Sequence, residues 1–205
     1  MRNKLAAILL GIGISALLAA IAMMGYNYLE ASQAGKQSAQ HMSQMVTAME
    51  QKESLPVITI PEAMQTEPAE ESYVMNEIQI EGNAYIGYLS LPRLGLELPV
   101  ISQWSYDKLQ IAPCRYSGTM KEENLVLLAH NYDQHFRRIR ELQTGDPVSF
   151  TDVDGTVYTY QVALQEVLDA DAVEAMTSSA YALSLFTCTY DSMSRVVVRC
   201  ERTEN

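Results

Sequence analysis

The chain has 205 residues, 48% of them hydrophobic, and a formal net charge of −11 at neutral pH. That length and apolar content suit one modest core with appendages. The charge balance argues against nucleic acid, because residues 77–205 carry ten Lys and Arg against eighteen Asp and Glu with no basic stripe.

Arg2 and Lys4 precede an uncharged run, residues 5–25, dominated by Leu, Ile and Ala. Its length matches the roughly 20 residues a bilayer-spanning helix needs. Residues 1–25 are therefore expected to be a cytoplasmic tip and transmembrane signal-anchor, with everything after Gly25 outside the cell by the positive-inside tendency. Ala20-Ile21-Ala22 has the small-residue spacing of a cleavage site, but the apolar run exceeds the about 7–15 residues of a signal-peptide core.

Residues 26–76 read as an extracytoplasmic stalk. The first part, rich in Ser, Gln, Ala, Met and Glu, suits a helix; the second, with Pro56, Pro61, Pro68, Glu67, Glu70 and Glu71, suits an extended, poorly ordered spacer. His41 is assigned to this stalk.

Residues 77–205 form the domain proper. Strand-like runs fall near 84–90, 94–100, 125–130, 147–152, 157–168, 183–189 and 195–201, with one further short strand expected within 104–112. Asp154-Gly155 marks a hairpin between the fourth and fifth of these runs. Short amphipathic helices are expected around Phe136, Ile139, Arg140 and Leu142, and over 173–176. Many short strands with one or two brief helices predict a mostly β fold, a barrel or a sandwich.

The chemistry concentrates at two places. Leu185-Phe186-Thr187-Cys188 and Arg195-Val196-Val197-Val198 flank a polar tetrad, which predicts an antiparallel hairpin. With the turn centred on Asp191-Ser192, Thr189 faces Ser194 and Cys188 faces Arg195. Opposed side chains lie roughly 4.5–5.5 Å apart at Cβ, so a thiol sits beside a guanidinium. Far upstream, His130 ends the run Leu125-Val126-Leu127-Leu128-Ala129. Its imidazole, with a reference pKa of about 6.5, can exchange a proton with a thiol of about 8.5. Cys188, His130 and Arg195 are thus candidates for acyl transfer through a thioester. Arg199 shares a face with Arg195 but lies further from Cys188. His135 reads as exposed.

Thr187-Cys188 followed by Arg195 opening a β-branched strand resembles the signature of the sortases, the cysteine transpeptidases of Gram-positive cell surfaces. The block His130-Asn131, Phe136, Ile139, Leu142 and Gly145-Asp146-Pro147-Val148 is similar to the family's His segment and its following turn. Similarity extends over about residues 77–201. Ala129 stands where many members have Gly, a form closer to the class B branch, while the short connection from His130 to Phe136 departs from that branch; the subclass stays open.

The resemblance implies a closed eight-stranded β-barrel behind the transmembrane helix. It implies cleavage of an LPxTG-like C-terminal sorting signal on surface proteins, with Cys188 as nucleophile, His130 as acid and base, and Arg195 at the substrate carbonyl or oxyanion. Thr187 is a candidate substrate-binding or oxyanion residue. The acceptor would be an amine of a peptidoglycan precursor cross-bridge or a pilin Lys. No cofactor or metal is expected, since phosphate-loop and paired-cysteine zinc spacings are absent, and Asp152, Asp154, Asp169, Asp171 and Glu174 match no EF-hand loop. The protein is expected to be a monomer. Two other readings remain open: a cysteine peptidase that only hydrolyses, and a non-catalytic peptide-binding barrel. Cys188 must be free to work, which leaves Cys114 and Cys200 able to pair without requiring it.

Overall fold

The structure, a computed structural model, describes residues 2–53, 75–177 and 180–203. One long helix, α1 (Arg2–Glu53), is followed by nine strands and two short α-helices: β1 (Ile78–Ile80), β2 (Asn83–Leu91), β3 (Leu96–Ile101), α2 (Tyr106–Leu109), β4 (Cys114–Ser117), β5 (Leu125–Leu128), β6 (Pro147–Asp152), β7 (Val157–Asp169), α3 (Val173–Thr177), β8 (Leu183–Cys188) and β9 (Ser194–Arg202). Neighbour by neighbour the sheet runs β1-β2-β3-β4-β5-β8-β9-β7-β6, and β6 pairs back onto β2. Eight strands, β2 to β9, therefore close into a barrel. β1 is an extra flap on the start of β2.

Closure depends on a close backbone approach at Gly87. The β2 register shifts between Tyr85 and Gly87, and Gly87, at φ 146, pairs with Asp152 of β6. A Cβ there would lie 2.1 Å from the Thr151 carbonyl oxygen and 2.8 Å from the Asp152 Cα. Next along β6, the predicted Asp154-Gly155 hairpin forms: the Asp152 carboxylate accepts the N–H groups of Asp154 and Thr156, and Gly155 turns at φ 84.

Strand alternation sorts the side chains into two sets. Inside the barrel, Leu125, Leu127, Leu183, Leu185, Val196 and Val198 join one core. On the outer side, Val126, Phe186 and Val197 form a second cluster with Met176 of α3. Apolar residues on both faces explain why β5, β8 and β9 read as continuous hydrophobic runs rather than alternating ones.

Two expectations need correction. The short strand expected within 104–112 is instead a helix, α2, capped by the Ser105 hydroxyl accepting the Lys108 N–H; the strand lies later, at β4. His135, expected to be exposed, is fully buried. The His135 N–H donates to the Tyr132 carbonyl, and the Phe136 N–H to that of His130. This tight loop swings His135 and Phe136 inward.

The first half of the segment assigned as stalk is helical as far as Glu53 and lies against the barrel. His41 is buried and hydrogen-bonded to the Tyr85 hydroxyl, and Met45 packs fully buried among Ile80, Tyr85 and Ile101. Pro56, Pro61, Pro68 and the cluster of Glu67, Glu70 and Glu71 lie outside the described residues.

Gly87→Ala is expected to destabilise the protein by roughly 2–5 kcal/mol, combining strained positive φ with overpacking against the β6 backbone. Chemical denaturation of the variant measures it, and the loss should appear as a lower midpoint at unchanged slope.

Candidate active site

Three neighbouring strands present the predicted residues at one level. β5 and β8 run parallel, with Leu125 paired to Leu183 and Leu128 to Phe186, so two residues further on His130 comes level with Cys188. β8 and β9 run antiparallel, with Cys188 paired to Arg195. His130, Cys188 and Arg195 thus follow one another across the sheet in that order. By strand alternation all three stand on the outer face, opposite the inward set.

The turn that sets this register is held by its own polar side chains. Thr189 and Ser194 exchange bonds through the Thr189 N–H and hydroxyl, while the Asp191 carboxylate accepts both the Thr189 hydroxyl and the Met193 N–H. Those two donors hold the Asp191 carboxyl below its ordinary value. Ser192 takes the left-handed conformation, at φ 61. One amino group of Arg195 donates to the carbonyls of Ser192 and Ser194, which folds its side chain toward the turn.

Thr187 is placed differently from its expected role at the substrate. Its side chain is fully buried on the inner face, and its hydroxyl donates to the Ala129 carbonyl at 2.8 Å. A hydroxyl pointing into the core cannot meet a substrate on the outer face. It instead ties the residue before Cys188 to the residue before His130.

His130 and Cys188 are both partly exposed. The His130 ring lies 5.0 Å from that of Tyr132, and Tyr132 lies 5.6 Å from His135. Burial pushes the His130 imidazole below its ordinary 6.5, opposed in part by the Glu30 carboxylate of α1. His135 goes down to about 4, from burial first and then from His130. Glu30 also accepts a hydrogen bond from the Tyr132 hydroxyl at 3.2 Å. The other thiols are unsuited to chemistry: Cys114 and Cys200 are free and buried, and burial raises each to about 12.

Beside the row, the outer face has an apolar floor of Val126, Leu128, Phe186 and Val197, with Tyr116 edge-on to Phe186 at 5.3 Å and Trp104 stacked on Tyr116 at 5.8 Å. Sequence reasoning missed the two aromatics, which lie on and before a strand it misplaced. Arg199 shares this face but is committed. Its buried guanidinium binds Glu166 at 2.7 Å, Ser184 at 2.9 Å and the carbonyls of Ala175 and Met176. Arg199 therefore fastens α3 over the apolar floor. An open cleft of about 550 Å³ lies elsewhere, between the end of α1 and the β6–β7 hairpin.

A closed β-barrel carrying a thiol between an imidazole and a guanidinium defines a cysteine acyl-transfer class of protein. The sortase-domain family model matches residues 89–203, and the chain belongs to the sortase family, a family of cysteine transpeptidases. Solved structures agree in fold. Sortase C1 from Streptococcus agalactiae is 24% identical, with a TM-score of 0.54 over 62% of this chain and 72% of that one. Sortase A from Corynebacterium diphtheriae is 20% identical, with a TM-score of 0.51 over 60% of this chain; the match spans 62% of that relative's length. Sortase C from Clostridium perfringens SM101 is 20% identical, with a TM-score of 0.50 over 86% of this chain and 90% of that one. No curated protein matches the chain in sequence.

The two arginines should separate experimentally. Arg199→Ala removes the buried donor to the Ala175 and Met176 carbonyls and to Glu166, a loss of about 1–3 kcal/mol as for other buried acceptors left unsatisfied, readable as a lowered unfolding midpoint. Arg195→Ala should leave that midpoint within about 0.5 kcal/mol, as for other surface substitutions. Histidine titration by NMR should show His130 below 6.5 and His135 near 4. Both folded values lie under the unfolded one, so the unfolded chain binds more protons as pH falls through 6.5. Stability should decline on acidification through that window, and the His135 contribution should be complete below about pH 4.

Proposed function

We propose that this protein is a membrane-anchored cysteine transpeptidase that cleaves an LPxTG-like C-terminal sorting signal and transfers the acyl group to an amine of the cell wall or of a pilin. The observation that carries this reading is the pairing of Cys188 with Arg195 on one side and its alignment with His130 on the other.

In the proposed reaction His130 takes the proton of the Cys188 thiol, and the thiolate attacks the scissile carbonyl carbon, whose π electrons move to the carbonyl oxygen. Arg195, always protonated, supplies donors to that oxygen. Collapse breaks the C–N bond, and His130 delivers a proton to the departing amine, leaving a thioester on Cys188. The incoming amine attacks the thioester, gives its proton to His130, and Cys188 leaves as thiolate. Water in place of the amine gives hydrolysis as the leak. Burial supports the His130 role, since it keeps the imidazole neutral and ready to take a proton near pH 7. Thr187 acts indirectly, by holding Ala129 and so the base next to it.

The apolar floor beside the row, closed by α3, suits the aliphatic side chain of such a signal. α1 supports the anchor, because it contains an 18-residue window of mean hydropathy 2.3 with none of it buried, long and apolar enough to cross a membrane. In this reading the enzyme sits on a Gram-positive cell surface with its N-terminus in the cytoplasm.

Cys188→Ala should abolish product, and His130→Ala should lower turnover by roughly 10²–10⁴-fold, the usual worth of a general acid and base. The assay presents sorting peptides with and without amines and reads products by mass. Amine-dependent ligation supports transfer; release of the free acid alone, whatever the amine, would leave only a hydrolase, and full turnover in a folded Cys188→Ala protein would sink the thioester route.

A further inference from the structure

α1 continues without a break from its apolar run into a segment fixed along the barrel. Contact begins at Glu30, which accepts the Tyr132 hydroxyl, and at Gly35, where a Cβ would overlap the Gln134 side chain. It continues through Gln40, His41 and Gln44, all bonded to the Glu81 carboxylate, and ends with Lys52 paired to Asp154. At 1.5 Å per residue, Glu30 and Lys52 are about 33 Å apart along the helix, while Glu30 is only about 7.5 Å beyond Gly25. The end of the barrel that carries His130 is thus the end nearer the apolar run.

The β8–β9 turn belongs to that same end. Arg137 links it sideways to the helix: its N–H donates to the Tyr132 carbonyl, and its guanidinium lies 5.3 Å from the Tyr190 ring centre, donating to the Tyr190 hydroxyl at 3.5 Å. Tyr190 and Met193 are 77% and 71% exposed at that end of the barrel. A bilayer is roughly 40–45 Å thick against a hydrocarbon core of about 30 Å, which leaves a headgroup layer of about 5–8 Å on each side. With residues 5–25 across the core, Tyr26 and Tyr28 lie within that layer and Glu30 at its outer edge.

Resting on the reading of α1 as a membrane anchor, we infer that the tip of the β8–β9 turn, Tyr190 and Met193 with Arg137 behind them, is a second membrane contact that docks on the phospholipid headgroup layer. Tyr is suited to this layer, where its ring sits among the headgroups with its hydroxyl toward water. Arg137, which also pairs with the Asp133 carboxylate at 3.3 Å, and the exposed Arg140 supply cations for lipid phosphates beside the turn, against the single exposed carboxylate of Asp191 within it. Two points of attachment, the helix and the turn, hold the mouth of the site against the bilayer at a fixed height. Only a scissile bond presented close to the membrane surface is then within reach.

The test uses the full-length chain reconstituted in vesicles of phosphatidylcholine and phosphatidylglycerol. A nitroxide is attached at Met193→Cys in a Cys188→Ala background, where the remaining thiols, Cys114 and Cys200, are fully buried. A second sample carries it at Thr156→Cys on the opposite end of the barrel. Collision with a water-soluble nickel chelate is compared between the two. The label at 193 should lose most of its nickel accessibility relative to the label at 156, and adding Tyr190→Glu should restore it. Equal accessibility at both positions in protein that floats with the vesicles would overturn the contact while leaving the anchor standing. Failure to float would overturn the anchor reading and the contact with it, and would leave the transpeptidase assay in solution unaffected.

Discussion

The parallel pairing of β5 with β8 is the constraint on which the site depends. Parallel strands cannot be joined by a tight turn, so the link between these two is a long excursion through β6, β7 and α3. Their relative height is set by contacts between them alone. The Ala129 N–H donates to the Phe186 carbonyl and the Thr187 hydroxyl to the Ala129 carbonyl, which locks the last residue of each strand before the reactive one. A slip of one residue would turn either His130 or Cys188 into the core. The pairing of β8 with β9 is local by contrast, and its turn needs only its own Thr189 and Asp191 side chains.

Arg199 and Arg195 show how two like residues on one face take different work. Arg199 sits under α3, where each of its three guanidinium nitrogens meets an acceptor from the barrel or from the overlying segment. A buried guanidinium held by a carboxylate, a hydroxyl and two carbonyls fixes a lid element rather than meeting a substrate. Arg195, at the strand end, donates to the turn carbonyls of Ser192 and Ser194 instead. Distance from the thiol separated the two in the sequence; the surrounding acceptors separate them more firmly in the structure.

Legibility in the sequence followed the range of the interactions. The β8–β9 register was readable because one short loop determines it, and the barrel strands were readable because β-branched runs between turn signals have few alternatives. β1 escaped because three residues carry no period. α2 escaped although its signal was present, since Ser105 with Asp107 two residues on is a helix start, and the apolar residues near it drew a strand assignment instead. The burial of His135 depends on Tyr132 and on the core behind Phe136, which no local pattern shows. For α1 the clue was a stripe: Ala34, Ser38, His41 and Met45 recur at helical spacing and are all buried. Half of that stripe is polar, and only the Tyr85 hydroxyl and Glu81 carboxylate on the barrel explain why His41 belongs there.

Burial also decides which of three thiols can act. Cys114 lies under α1 with Ile101 and Leu109, Cys200 lies inside the barrel with Leu183 and Val198, and no described residue offers either a cation close enough to offset desolvation. Their thiolates are suppressed, and both cysteines are free and buried in separate core clusters. Cys188 is the one thiol partly open to solvent, and it lies beside both His130 and Arg195 in the sheet. The same fold that buries two cysteines therefore leaves Cys188 as the thiol that the proposed reaction can use.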